Sequence, residues 1–115
     1  MDIEEVLDIV LADPFADVTF SGGDPMFQPL GFAALARAIK ERSTKSIWCY
    51  TGYLFEDILL NAQQRELLEN VDVLVDGRFV EALKNDELPF RGSSNQRIID
   101  VRKSLEQDCV VLLCE

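Results

Sequence analysis

The feature that most limits the fold is a rhythm of strands and helices. Three short runs rich in β-branched and aromatic residues, ADVTFS (16–21), SIWCYT (46–51) and VDVLVDG (71–77), alternate with stretches of helical repeat. In PLGFAALARAIKER, Phe32, Leu35, Ala36 and Ile39 fall at i, i+3, i+4 and i+7, and Pro29 sits in the first turn, where its missing N–H costs nothing. Phe55, Ile58, Leu59 and Ala62 make a similar stripe in FEDILLNAQQRELL, as do Ile3, Val6, Leu7 and Val10 in the opening segment. Asp2 and Glu5 have capping-box spacing at its start. Strands separated by helices predict a single α/β domain over residues 1–115, with a parallel sheet and right-handed crossovers.

The rhythm loosens after Gly77. RFVEALKNDELPF has room for a short helix, and RGSSNQ reads as a polar loop. RIIDV and CVVLLC read as two further strands with a turn of helix around Ser104 between them. The chain also opens on a helix with no strand before it, as an α/β domain lacking its first strand would.

Composition excludes several functions. The chain has 115 residues, is 48% apolar, and carries 21 acids against 11 bases for a net charge of −10. Binding to a nucleic-acid backbone needs clustered Lys and Arg, which are missing here. No apolar run reaches the ~18 residues of a membrane span, and the acidic N-terminus is unlike a signal peptide. A cytoplasmic setting is the expectation. There is no histidine, so the commonest general base and metal ligand is absent. Three cysteines, Cys49, Cys109 and Cys114, contain no C-x-x-C pair, which argues against both a disulfide framework and a zinc site. Buried thiols are expected instead. On a strand, Cys109 and Cys114 would point to opposite faces.

In open α/β sheets ligands bind beyond the carboxyl ends of the strands. Those ends carry SGGDP (Ser21, Gly22, Gly23, Asp24, Pro25), TGY (Thr51, Gly52, Tyr53) and DGR, which begins at Asp76. A parallel sheet gathers all three on one rim. Gly22 and Gly23 allow positive φ and close approach of backbone to a ligand. Asp24 suits a cation such as an ammonium, and Thr51 and Asp76 suit hydroxyls. Neither G-x-x-x-x-G-K-[ST] nor G-x-G-x-x-G is present, so the loop is not a phosphate cradle. Gly-Gly-Asp-Pro is equally good turn chemistry. Only the three ends taken together set a ligand site beside a plain turn.

VTFSGGDPMFQP resembles the glycine-rich motif of the activating enzymes of glycyl-radical proteins, a branch of the radical S-adenosylmethionine superfamily. IWCYTGYLFEDIL, VDVLVDGRFVEAL and PFRGSSNQRIIDV, in that order, resemble the activating-protein family of anaerobic ribonucleotide reductase. The likeness runs from about Val6 to Val101. It implies a parallel α/β partial barrel in which a 4Fe-4S cluster reduces S-adenosylmethionine to methionine and a 5′-deoxyadenosyl radical. That radical takes a hydrogen from a glycine of the partner, the anaerobic ribonucleoside-triphosphate reductase. Residue by residue, Ser21, Gly22, Gly23, Asp24 and Pro25 match the part that holds the methionine end of the cofactor. Thr51, Gly52 and Tyr53 match the part lining the nucleoside, and Asp76 and Gly77 match the next strand end. The resemblance gives Ser93 to Arg97 a place but no role.

One family element is missing from the sequence. The C-x-x-x-C-x-x-C loop that ligates the cluster does not occur in these 115 residues, and Cys49, Cys109 and Cys114 lack the spacing to replace it. No catalytic or metal-ligating residue is therefore assigned. The resemblance then implies the C-terminal body of an activase, a partial barrel missing its first strand and inactive alone. Such a chain arises as a piece of a longer protein, from a mis-called start at Met1, or as a cysteine-free paralogue. The undamaged cofactor-side motifs favour the first two over the last. The alternative function is a non-catalytic module that binds S-adenosylmethionine, a nucleoside or the reductase. A missing first strand would also leave an unpaired edge beside VTFS, which predicts a homodimer or a loosely packed edge there.

Overall fold

The computed structural model of the chain describes residues 3–12, 17–20, 24–85, 87, 91 and 93–113. The elements run α1 (Ile3–Leu11), β1 (Val18–Phe20), a 3-10 turn (Pro25–Phe27), α2 (Pro29–Arg42), β2 (Ile47–Tyr50), α3 (Phe55–Ile58), α4 (Ala62–Leu68), β3 (Val73–Asp76), a second 3-10 turn (Glu81–Leu83), β4 (Arg97–Asp100) and α5 (Val101–Gln107). The α/β expectation holds, and α2 covers the whole PLGFAALARAIKER segment. The FEDILLNAQQRELL stripe splits in two. Asn61 explains the break, because its side chain accepts from the N–H groups of Gln63 and Gln64 at 3.0 and 3.1 Å and so starts a new helix.

The strands form one four-stranded sheet in the order β1-β2-β3-β4. β1 and β2 are parallel, with Val18 opposite Ile47, and β2 and β3 are parallel, with Trp48 opposite Val73. β4 departs from the expected all-parallel sheet and runs antiparallel to β3, with Asp76 opposite Arg97. The connection explains this. A parallel return needs a crossover that carries the chain back along the sheet, and 78–90 supplies only a 3-10 turn among its described residues. CVVLLC is not a strand in its described part. It makes one isolated bridge, Leu112 to Ile99, and the Leu113 N–H donates to the Ile98 carbonyl at 2.8 Å. The helical turn around Ser104 is α5, whose buried Ser104 hydroxyl accepts from the Val111 N–H at 2.8 Å.

Alternation sorts the sheet residues onto two faces. Val18, Phe20, Ile47, Cys49, Leu74 and Ile99 join the large core with Leu7 of α1, Ala36 and Ile39 of α2, Ile58 of α3 and Leu67 of α4. The other face carries a small cluster of Val73, Val75 and Ile98, flanked by half-buried Trp48 and Tyr50. At the amino ends of the strands, Asp72 accepts from the Ile47 N–H at 2.7 Å and pairs with Lys40, tying β2, β3 and α2 together. No helix among the described residues is long and apolar enough to cross a membrane.

Leu74 sits at the centre of the large core, fully buried between β2 and β4. Leu74→Ala is expected to lower unfolding stability by ~2–5 kcal/mol, the range for a buried leucine cavity. Urea denaturation followed by circular dichroism measures it, and a loss below ~1 kcal/mol contradicts the packing described.

Candidate functional site

The carboxyl ends of β1, β2 and β3 meet at one rim, as parallel pairing requires. Asp24 follows β1 and caps the first 3-10 turn, accepting from the Met26 N–H at 3.0 Å. The same carboxylate reaches across to the end of β2. It accepts from the Thr51 hydroxyl at 2.7 Å and from the Gly52 N–H at 2.8 Å. Thr51 is buried and its Oγ1 accepts in turn from the Tyr53 N–H at 3.1 Å. Asp24 thus fixes the relative positions of two strand ends. A carboxylate offers about four lone-pair positions, so three protein donors leave it capacity for another.

Above this tie lies a cleft of about 330 Å³ lined by Asp24, Phe27, Gly52, Tyr53, Arg78 and Phe79. A second hollow of about 330 Å³ adjoins it, sharing Gly52, Tyr53 and Arg78 and adding Leu54, Asp57, Gly77 and Asn95. The Phe27 and Tyr53 rings meet edge to face with centroids 5.8 Å apart. Gly52 lies between the Asp24 carboxylate and the stem of Arg78. A Cβ there would lie 3.4 Å from the Arg78 Cγ and 3.6 Å from Asp24 Oδ2. Among the described residues the Arg78 guanidinium has no salt-bridge partner. The cleft therefore offers a carboxylate, a guanidinium and three aromatic rings.

Of the residues singled out in the sequence, Asp24, Gly52 and Tyr53 line the cleft, and Thr51 braces it from below. Pro25 is buried at the start of the first 3-10 turn. Ser21, Gly22 and Gly23 lie outside the described residues. Asp76 stands apart from both hollows. It is completely buried, and its carboxylate is engaged side-on by Arg97 at 3.0 and 2.5 Å and by the Phe55 N–H at 2.8 Å. It anchors β4 and the first turn of α3. Arg97 continues to Glu56 at 2.6 Å, and the two carboxylates hold the guanidinium pKa above its usual value. The Arg97 hydrogen bonds pull Glu56 below its ordinary range, partly offset by desolvation.

Phe27, Arg78 and Phe79 lie inside the family-like stretches but were not singled out as site residues. Arg78 was legible only as the last letter of DGR, and the two phenylalanines only as apolar residues near glycines. Another hollow, about 380 Å³, lies at the opposite end of the strands beside Lys40, Asp72 and α5. There Lys40 is already paired with Asp72, so the rim cleft is the better candidate.

A family model described as a 4Fe-4S single cluster domain matches residues 2–99. The anaerobic ribonucleoside-triphosphate reductase-activating protein of Salmonella typhimurium is 41% identical over 88 residues, covering 74% of this chain and 56% of that protein. Proteins of the same name match from Escherichia coli strain K12, at 40% over 88 residues with 74% and 56% covered, and from Enterobacteria phage T4, at 40% over 84 residues with 70% and 51% covered. The chain belongs to this activating-protein family. It spans about half the length of the curated relatives it matches. No solved structure matches it.

The iron–sulfur cluster for which the family model is named does not fit the residues present in this activating-protein chain. Cluster ligands are thiolates. The Cys49 thiol is buried in β2, and burial, with a smaller effect from the Asp24 charge, pushes its pKa up to about 12. Against the expectation of buried thiols, Cys109 is exposed, because it follows directly on the α5 C-cap at Asp108 and not on a buried strand. Cys114 lies outside the described residues. Among the described residues no three His, Cys, Asp or Glu side chains are grouped to hold a metal ion.

Two outcomes are expected. Iodoacetamide applied to the native protein near pH ~8 should label Cys109 and spare Cys49, since only the thiolate reacts; labelling of Cys49 without unfolding, seen by peptide mass spectrometry, contradicts its burial. Glu56, whose folded pKa is depressed, contributes stability above its unfolded value that is lost as pH falls through the folded one. Glu56→Gln should therefore remove part of the acid-side loss of stability, by under ~1 kcal/mol for so exposed a pair, when urea midpoints near pH ~6 and pH ~3 are compared.

Proposed function

We propose that the rim cleft is the S-adenosylmethionine site of an activating protein whose partner is the anaerobic ribonucleoside-triphosphate reductase. The observation that carries this is the meeting of Asp24 and Arg78 against Gly52, with Phe27, Tyr53 and Phe79 around them. An α-amino acid has an ammonium and a carboxylate, and the two walls offer one group for each. The aromatic rings suit a purine, which buries a flat apolar surface. In this reading Ser21, Gly22, Gly23, Asp24 and Pro25 hold the methionine end, with Arg78 on its carboxylate. Thr51, Gly52 and Tyr53 line the nucleoside, and Asp76 supports the wall from below. The bound cofactor would supply the radical chemistry of the family. The chain's own residues bind it, orient it and keep water from its apolar surfaces.

The open sheet is, in this proposal, the body of the family's partial barrel in a cytoplasmic protein. β1 stands at the sheet edge, where a second copy or further chain would pair. Any cluster working with this body must be held by cysteines outside these 115 residues. The misfit of Cys49 and Cys109 to a cluster favours a second reading, a non-catalytic module that binds S-adenosylmethionine, a nucleoside or the reductase. Protein isolated from its own cells separates the two. A polypeptide larger than 13.0 kDa with bound iron and sulfide belongs to the first reading, and an iron-free protein of that mass to the second.

The cofactor site is tested by calorimetric titration with S-adenosylmethionine and with 5′-methylthioadenosine, which lacks the amino-acid end. Arg78→Met keeps the stem and removes the charge. Loss of a charged hydrogen bond of ~1.5–3 kcal/mol weakens S-adenosylmethionine about 10–100-fold and leaves methylthioadenosine nearly unchanged. Equal losses for both ligands, or no binding of either by the unaltered chain, reject the site.

A further inference from the structure

The β3–β4 ladder ends at the pair Asp76 and Arg97, yet its register continues. If backbone pairing ran on, Gly77 would face Gln96, Arg78 would face Asn95, and Val80 would face Ser93. Side chains make those connections instead. Gln96 Nε2 donates to the Gly77 carbonyl at 3.0 Å, Asn95 Nδ2 donates to the Arg78 carbonyl at 2.8 Å, and the Val80 N–H donates to Ser93 Oγ at 3.2 Å. The three side chains are themselves joined. The Ser93 hydroxyl donates to Asn95 Oδ1 at 2.6 Å, and the Ser93 N–H donates to Gln96 Oε1 at 3.2 Å. Ser93 is fully buried. Gly77 has φ +95°, the left-handed region that favours glycine, and it packs against Asn95.

We infer that Ser93, Asn95 and Gln96 are positioning residues for the rim cleft: they hold the strand-end loop 77–80 one side chain away from β4, which fixes Arg78 and Phe79 in the cleft wall. Direct backbone pairing would draw the loop onto β4. Without any pairing, Arg78 would be carried on an untethered segment. The amide side chains suit the task because each offers a donor and an acceptor on one flat group. One end of each takes the loop carbonyl and the other locks onto Ser93. Asn95 also lines the second hollow, so the brace and the site share a wall. The inference rests on the cofactor reading for its ligand but not for its geometry.

The test uses Gln96→Ala and Asn95→Ala in the whole chain, with two measurements. Hydrogen exchange of peptides covering 77–80 should speed up in both variants while β2 and the core of β3 keep their protection. The affinity for S-adenosylmethionine should fall about tenfold, and adding Arg78→Met to either variant should cost much less than it does alone, because the brace acts through Arg78. Unchanged exchange in 77–80 overturns the brace. Faster exchange with unaltered affinity, or losses that simply add to those of Arg78→Met, overturns the positioning role and leaves a purely structural turn. If the unaltered chain binds no S-adenosylmethionine, the cofactor reading falls, and the exchange result alone decides for or against the brace.

Discussion

A carboxylate with no exposure to water holds the carboxyl end of this sheet together. Asp76 closes β3, and removing a charge from water costs several kcal/mol unless partners replace the hydration. The chain meets that cost with a side-on guanidinium from β4 and the first free N–H of α3. Three separate segments are thereby brought to one point. A buried apolar pair would pack as well, but it would not specify direction. The fork of Arg97 fits the carboxylate in one orientation, and this sets the register in which β4 meets β3. Everything beyond that pair, including the side-chain continuation by Gln96, Asn95 and Ser93, follows the same register.

Asp24 does the corresponding work one layer higher. Its oxygens gather the Met26 and Gly52 N–H groups and the Thr51 hydroxyl, so the loop after β1 and the loop after β2 are set by one side chain. The two acids differ in what is left over. Asp76 is enclosed, whereas Asp24 borders open space with acceptor capacity remaining. A carboxylate fixed by the protein and still partly unsatisfied is suited to a cationic ligand, because it need not be reorganised when the ligand arrives. The same separation of roles explains why two Asp residues at strand ends, alike in sequence, serve different ends.

Much of this was legible in the residues, and the limits have physical causes. β1, β2, β3 and α2 declared themselves because period 2 and period 3.6 are local properties. The meeting of Asp24 with Thr51 and Gly52 followed from parallel pairing. β4 was visible as RIIDV but its direction was not, since direction depends on how 78–96 returns rather than on the strand itself. The split of α3 from α4 turned on Asn61 taking backbone donors, a competition that apolar periodicity does not register. Asp76 looked like a ligand group because it ends a strand beside a glycine. Its partner Arg97 is distant in sequence, so nothing local revealed that the carboxylate was already bound. Arg78 was hidden for the converse reason: exposed arginines are common, and only the glycine beside it in space marks this one.

The cysteines bring out a separation between fold and redox chemistry. Cys49 lies in the strand beside the cleft, but its thiol is stabilised as a small apolar group by the core around it, and the neighbouring Asp24 charge opposes ionisation further. The very carboxylate that orders the rim therefore adds to burial in keeping the Cys49 thiol protonated. A fixed carboxylate at this rim disfavours a thiolate at Cys49. Within these residues the local charge favours a cation over a thiolate: Asp24 is held by Thr51 at the rim, and Cys49 stays a neutral thiol in the core.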